Sequence, residues 1–533
     1  MSPHRIRLRA RELCIQADKA LPSDDGILLR GGEVSVELPF APVRFYRHGW
    51  QSWSLTMWQG AGQKVPEPLP RALQPMQVDP VYARDPSPNG SWVGAVEGTD
   101  GSVLLLGALD LETHVALEGG RLVGRSETGT ARWLLSLGGE EDVFGLYAAR
   151  LRAVFGKGRA EKPPRIWCSW YSLYTAIRET VLHRILEEIR GMPFDVFQVD
   201  DGWQDGIGDW EANAKFPSGM EALASRIRAA GFTPGLWLAP LLSAPSSRLF
   251  REHPDWMLRD AQGRFVSAGF NWGAPVYALD ATHPGALAWL TALLRRVRAW
   301  GFGYAKLDFL YAGALPGVRH NGMAREAAYR HVLAAVREAL GDAYFLACGA
   351  PVIPSIGLCD GLRVGPDVAA SWESARDGRM LTNCATPGAR NAVRTTVHRL
   401  WLRDLLHMDP DAAYFRSRRI AMDAEHRRLL VDLALVCGFR ATSDPPSWLG
   451  PEERAGLLGF LDASPRVERR GRGAFSLDGR RADFSAAMEL PAPLPLLRPL
   501  VGRLAGRKFA LRLFDVLGRR GLERMMREEF GEG

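Results

Sequence analysis

The sequence predicts a multidomain α/β and β protein. An N-terminal antiparallel β-sandwich precedes a central (β/α)8 TIM barrel, and a small C-terminal region holds a few strands and a terminal basic helix. Three observations predict this. Up to about residue 160 the chain is made of short alternating apolar runs divided by Gly, Pro and Asp. From Arg165 to Thr442, eight strand-like runs alternate with helical patterns. After Pro495 the texture becomes basic and amphipathic. We divide the chain at 1–160, 161–455 and 456–533 on this basis.

The size and composition agree with such a fold. The chain has 533 residues, 46% hydrophobic and 24% charged, the balance of an ordinary globular protein with an ample core. The net charge is +7, but Arg is spread along the chain and much of the surplus follows Arg466. No block of like charge resembles a nucleic-acid arm, so nucleic acid is not expected as a partner. No apolar run is long enough to span a bilayer. The first residues, Met-Ser-Pro-His-Arg-Ile-Arg-Leu-Arg, lack the apolar core of a secretory signal. Six cysteines without paired spacing suggest reduced thiols and no zinc site. A cytoplasmic enzyme fits these features best.

In the sandwich, the runs Val34–Leu38, Ser102–Gly107 and Ala131–Ser136 read as strands. The loop Tyr46-Arg-His-Gly-Trp-Gln-Ser-Trp-Ser54 is too aromatic and polar for a plain turn. Pro66 to Pro80 reads as a long irregular segment, and Lys162-Pro-Pro164 as a linker. The eight barrel strands are read as starting at Arg165, Phe194, Thr233, Tyr304, Tyr344, Gly361, Ala412 and Gly438. The seventh is Ala412–Phe415, preceded by a helix from Ala389 to His407. A doubly wound sheet is the alternative, but no Gly-rich phosphate fingerprint follows the first strand.

In such a barrel, the loops after the strands build the site. Strand one ends Trp167-Cys-Ser-Trp-Tyr171 and strand two ends Asp200-Asp201. Strand three holds Trp237, strand four Lys306 and Asp308, strand five Cys348, and strand six runs into Arg363-Val-Gly-Pro-Asp367. Lys306 and Asp308 fall on one face of their strand, because side chains alternate. Taken alone, that pair reads equally well as a structural ion pair. The whole set reads as a site. Asp308 and Asp367, from different strands, could face each other across a pocket as glycoside hydrolysis needs. One carboxylate would attack the anomeric carbon, and the other would protonate the leaving oxygen. Lys306 and Arg363 are the cations placed to keep a nucleophilic carboxylate ionised.

Two features have more than one reading. Asp200-Asp201 could hold a hard metal, but too few further oxygen ligands lie nearby in sequence. Accepting hydrogen bonds from sugar hydroxyls needs no metal and is preferred. Cys348 could be a nucleophile, but His398 and His407 fall on a predicted helix, so a thiol packed against a substrate hydroxyl fits better. The 17 Trp are numerous, and Trp50, Trp53, Trp58, Trp203, Trp210 and Trp272 sit in polar loops. Aromatic faces beside carboxylates suit sugar rings, although most Trp in a protein are core.

At these residues the chain resembles the α-galactosidases of glycoside hydrolase family 36, the melibiases. The carriers are Trp50-Gln-Ser-Trp53, Trp167-Cys-Ser-Trp-Tyr171, Phe197-Gln-Val-Asp-Asp201, Gly208-Asp-Trp210, Pro234-Gly-Leu-Trp-Leu-Ala-Pro240, His253-Pro-Asp-Trp256, Lys306-Leu-Asp-Phe-Leu310, Cys348-Gly-Ala-Pro351, Arg363-Val-Gly-Pro-Asp367 and Asp409-Pro-Asp411. The resemblance covers most of residues 40 to 450. It implies a retaining double displacement on α-galactosides of the melibiose and raffinose type, with no metal and no cofactor. Asp308 matches the nucleophile and Asp367 the general acid/base. Asp200 and Asp201 match the pair that grips the 4- and 6-hydroxyls. Lys306, Arg363 and Cys348 match residues around the 2- and 3-hydroxyls. Trp237, Trp170 and Tyr171 match pocket walls, and Trp53 a tryptophan that the N-terminal domain lends to the site. Galactosyl transfer through the same intermediate, or hydrolysis of another α-linked sugar, is the alternative.

Three regions depart from the family pattern. Gly202-Trp203 alters the rim after Asp201, and Ala369-Ala370 leaves a small wall after Asp367. The family's small antiparallel C-terminal domain is reduced to a few strands between Arg466 and Leu490. A Pro-rich joint, Pro491-Ala-Pro-Leu-Pro495, leads to a basic amphipathic helix from Leu500 to Phe530. It sets Leu504, Leu511, Phe514 and Leu517 among Arg503, Arg507, Lys508, Arg512, Arg519 and Arg520. Such a helix can lie on an acidic membrane. Packing on the body of the protein or on another subunit of an oligomer is preferred over it.

Overall fold

The structure is a computed structural model. It describes residues 2–9, 11–23, 25–65, 67–373, 383–490 and 498–531, without the side chains of Arg498, Pro499, Lys508 and Phe514. Pro66, the Pro491–Pro495 joint and the Phe514 and Lys508 side chains therefore lie outside the described residues.

Two antiparallel sheets form the N-terminal sandwich. One runs in the order Ser2–Leu8, Arg11–Ala17, Glu33–Glu37, Arg121–Ser126, Thr113–Glu118, Asn89–Ser91. The other runs Lys19–Ser23, Gly26–Gly31, Ala131–Gly138, Val103–Ala108, Val93–Gly98, Pro42–Arg47, Met57–Gly60. Leu13, Ile15 and Ala17 are buried while Arg11, Glu12, Cys14 and Gln16 are not, the alternation of a strand with one wet face. Apolar side chains from both sheets, such as Val36, Phe45, Leu104 and Trp133, fill one core. A helix, Glu140–Phe155, then leads through an irregular stretch to the barrel.

Eight parallel strands form the barrel: β1 (Arg165–Cys168), β2 (Val196–Val199), β3 (Thr233–Leu238), β4 (Tyr304–Leu307), β5 (Tyr344–Ala347), β6 (Gly361–Arg363), β7 (His407–Asp409) and β8 (Arg440–Thr442). β1 to β7 pair in that order, and β8 pairs with β1. They are short and buried on both faces, which is why they read as near-continuous apolar runs.

The seventh strand differs from the sequence reading. It is His407–Asp409, and the Ala412–Phe415 run lies beyond its end. Ala413 makes only an isolated parallel bridge to Thr442, with its N–H on Ala441 O at 2.8 Å, which closes the ring. The preceding helix correspondingly stops at Val397, and a 3-10 turn, Leu400–Asp404, intervenes. The physical reason is that Asp409 and Asp411 flank Pro410. The two acids both turn to Arg363, so the paired segment ends on an acid rather than on the apolar run that follows it.

A three-stranded sheet, Val467–Gly471, Ala474–Leu477 and Arg480–Asp483, follows the barrel. The tail is two helices rather than one, α1 (Arg498–Ala505) and α2 (Lys508–Phe530), divided at Gly506-Arg507. Among the described residues, no helix is long and apolar enough to cross a membrane.

Candidate active site

The strand ends converge as side chains of opposite charge. Asp308 follows the last residue of β4, where the chain leaves the sheet and Phe309 takes a left-handed φ of 54°. One carboxylate oxygen accepts from Trp237 Nε1 at 3.0 Å and the other from the Phe309 N–H at 2.7 Å. These two donors fix its direction.

Lys306 does not pair with Asp308. Its Nζ donates to Asp200 Oδ2 at 3.0 Å, inside the barrel. Gln198 Nε2 donates to the same oxygen at 2.6 Å, and the Cys168 thiol lies 3.5 Å from it. Burial works against the charge of Lys306, but Asp200 beside it outweighs that and holds the ammonium well above its ordinary range. The cation expected beside Asp308 is thus engaged at the end of β2.

Arg363, at the end of β6, is the other centre. Its guanidinium meets Asp367, Asp409 and Asp411, each at 2.9 Å, and donates to the Tyr171 hydroxyl at 3.2 Å. The Tyr171 hydroxyl in turn donates to Asp411. Burial raises the Asp367 carboxyl above the usual aspartate range; Arg363 and Lys306 oppose that rise, while Asp308 and Asp200 add to it. Burial also pushes Asp411 up to about 7.

Asp201 points the other way from Asp200. It accepts from Gln204 Nε2 at 2.6 Å and from Trp272 Nε1 at 2.7 Å. Burial pushes it up to about 6. Trp272 sits at the turn of a hairpin, Ser267–Asn271 and Ala274–Ala278, inserted after β3. Its ring lies 6.3 Å from Trp237 and 5.2 Å from Phe309. Trp170, partly buried, packs its ring edge-on to Tyr174 at 5.1 Å, at the mouth of β1. Cys348 is fully buried, and that burial drives its thiol well above the ordinary range. The histidines do not lie on the helix predicted for them: His398 caps its end and His407 opens β7.

The aromatic loop of the sandwich closes the site. Its backbone pairs with the segment after β5: Gln51 bridges Pro351, the Ser52 N–H reaches Ala350 O at 3.0 Å, and the Val352 N–H reaches Trp50 O at 3.0 Å. The buried Arg399 binds the loop from below, donating to the carbonyls of Gly49, Gln51, Ser52 and Ser54 at 2.7–3.2 Å and to Val364 O at 3.0 Å. Trp53 is thereby set edge-on to Phe309 at 5.1 Å, next to Asp308. Gly349 permits this approach. It has φ 51°, and a Cβ there would meet the Trp53 ring at 2.9 Å.

All eleven side chains singled out from the sequence thus lie at the C-terminal ends of the strands or in the sandwich loop that docks there. Asp411, Trp272, Gln198, Gln204 and Arg399 were missed as site residues. Asp411 and Gln198 lie within the family motifs and Trp272 among the loop tryptophans, so the sequence holds a signal for all three. Gln198 is two residues before Asp200 and so on its face of β2. Arg399, on a predicted helix, gave none.

A family model described as Melibiase matches residues 143–341. The structure of TtGalA, an α-galactosidase from Thermus thermophilus solved with p-nitrophenyl α-D-galactopyranoside, is 47% identical, with a TM-score of 0.87 over 91% of this chain and 100% of that one. The same protein has also been solved with stachyose. α-Galactosidase AgaA of Geobacillus stearothermophilus is 28% identical over 203 residues, 35% of this chain and 27% of its own length. Its structure superposes with a TM-score of 0.55 at 16% identity, covering 84% of this chain and 67% of that one, which speaks to fold alone. A probable α-galactosidase C of Aspergillus flavus is 32% identical over 121 residues, 19% of this chain and 16% of its own. The curated relatives are therefore matched over only about a sixth to a quarter of their length.

Proposed function

The chain belongs to the melibiases, the α-galactosidases of glycoside hydrolase family 36, and from that premise we propose that it is a retaining exo-acting α-galactosidase. Its substrates are terminal α-galactosides of small sugars, the class to which the ligands of the Thermus relative belong. The single observation that carries this reading is the pair Asp308 and Asp367. The first is aimed by two donors and, among the described residues, has no cation hydrogen-bonded to it. The second is raised by burial while bound by Arg363.

The division of labour follows from the surroundings. Asp308 attacks the anomeric carbon and forms the glycosyl-enzyme. Asp367 gives its proton to the leaving oxygen, then takes one from the incoming water. A raised pKa suits that second role, because the acid must hold its proton until the bond breaks. Asp200 and Asp201 receive sugar hydroxyls, with Lys306, Arg363 and Cys348 on neighbouring hydroxyls. Trp237, Trp170, Tyr171 and Trp53 bound the ring. Arg363 touches all three carboxylates around it and offsets part of their charge, while burial favours the protonated forms of Asp367 and Asp411.

The test is hydrolysis of 4-nitrophenyl α-D-galactoside followed by NMR of the sugar as it forms. α-Galactose appearing first supports double displacement. β-Galactose first, or no cleavage by folded enzyme, would overturn the proposal.

A further inference from the structure

The tail has two unlike faces. The inner one is seated on the body. A Cβ at Gly502 would meet Leu69 at 2.7 Å, and one at Gly506 would meet Pro70 at 3.1 Å. The Asp515 carboxylate stands 3.0 Å from where a Cβ on Gly273 would lie, beside Trp272. Farther along, Met526 is buried, Glu529 pairs with Arg418 and Arg419, and Phe530 lies against Trp448. These contacts fix which way the helices face.

The outer face is apolar and unpartnered. Leu500, Leu504, Phe509, Leu513, Val516 and Leu517 are 44–76% exposed. They are half of the exposed large hydrophobics among the described residues. Along α2, the spacing 509, 513, 516, 517 puts them on one stripe. Six leucines, valines and phenylalanines left wet within one short stretch are more than a surface carries without an occupant.

Charge decides between occupants. Residues 503–520 carry six Lys and Arg against one Asp, and Arg503, Arg507, Arg512, Arg519 and Arg520 are all exposed. In a two-fold dimer built on this stripe, the same cations would face each other, and like charges across an interface are unfavourable. An acidic lipid surface satisfies both features: the apolar stripe enters the acyl boundary, and the arginines remain at the headgroups. We propose that the outer face of α1 and α2 docks the protein on an anionic lipid bilayer, peripherally and without crossing it.

The test is co-sedimentation of the full-length protein with vesicles of phosphatidylcholine alone or mixed with phosphatidylglycerol. The anionic vesicles should carry at least tenfold more protein than the neutral ones, and half-molar salt should release most of it. Phe509→Gln with Leu513→Gln should cut binding at least tenfold and leave the thermal transition unchanged. Equal partition into both lipids, or into neither, overturns the proposal. So does concentration-dependent self-association that the same double variant abolishes, because the stripe would then be covered by a second copy. The activity of the enzyme does not enter these outcomes, so they stand apart from the proposed reaction.

Discussion

Arg363 holds Asp367 at 2.9 Å while the same guanidinium also pairs with Asp409 and Asp411. The residue proposed as the acid is therefore tied to the charge network at the C-terminal ends of β6 and β7. Arg363→Ala would remove the guanidinium that contacts these three carboxyl groups in a buried site, which costs on the order of 3–5 kcal/mol. It would also raise Asp367 further, since Arg363 opposes the upward push of burial. An acid must be protonated to act, so activity falls as pH rises through its pKa. The alkaline limb of kcat/KM should move to higher pH in Arg363→Ala, with a loss of a hundredfold or more at neutral pH. Arg363→Lys keeps the charge and should shift the limb less. A limb that stays in place in both variants would remove Asp367 from the acid role.

Trp272 reaches Asp201 at 2.7 Å from a hairpin far along the chain. A hydrogen bond to a charged group contributes about 1.5–3 kcal/mol. Trp272→Phe removes it and keeps most of the ring. KM for an aryl α-galactoside should rise about tenfold or more, with kcat changed far less. A variant that loses kcat at unchanged KM would place Trp272 in the chemistry rather than in binding.

How much of this was legible depended on distance in sequence. The alternation of β4 and the ends of β2 and β6 announced themselves, because each is a local run with a charge where packing wants none. The eight-strand pattern followed for the same reason. What the sequence hid was pairing. Lys306 sits two residues from Asp308 yet binds Asp200, because β2 and β4, alternate strands with β3 between them, both send side chains into the barrel interior, where such residues meet. Arg399 was invisible: a lone arginine on a helix gives no sign that it will hold four carbonyls of a loop some 350 residues earlier. The seventh strand was misplaced because its inward face is acidic, and a hydrophobic pattern cannot report a strand whose partner is a cation.

The pH dependence of stability gives a separate check on Asp201. Its carboxyl is pushed up to about 6 by burial, against ~3.9 for an exposed aspartate. The folded protein thus binds this proton more tightly than the unfolded chain does. The cost of burying the charge is absent below about pH 4 and complete above pH 6, on the order of 3 kcal/mol. Asp411 and Glu326, both pushed up to about 7, act in the same direction. Asp201→Asn should gain stability relative to the parent as pH rises from 4 to 7, measured by urea unfolding. If the difference between the two proteins is flat with pH, Asp201 is not titrating there.

Glu326 supplies the last prediction, because it joins the two large parts of the molecule. Its carboxylate accepts from Trp50 Nε1 at 2.8 Å, Trp92 Nε1 at 2.9 Å and the Glu112 N–H at 2.7 Å, all from the sandwich, while Glu326 itself lies on the barrel helix Arg325–Leu340. Glu326→Ala would strand three buried donors at about 1–3 kcal/mol each, so a loss of several kcal/mol is expected; Glu326→Gln, which keeps the acceptor oxygen, should lose less. Trp50 belongs to the loop that carries Trp53 to Phe309, so loosening it should also weaken substrate binding. Thermal unfolding and KM measured on the same two variants check both halves. A lowered transition with KM unchanged would show that Arg399 alone suffices to hold the loop.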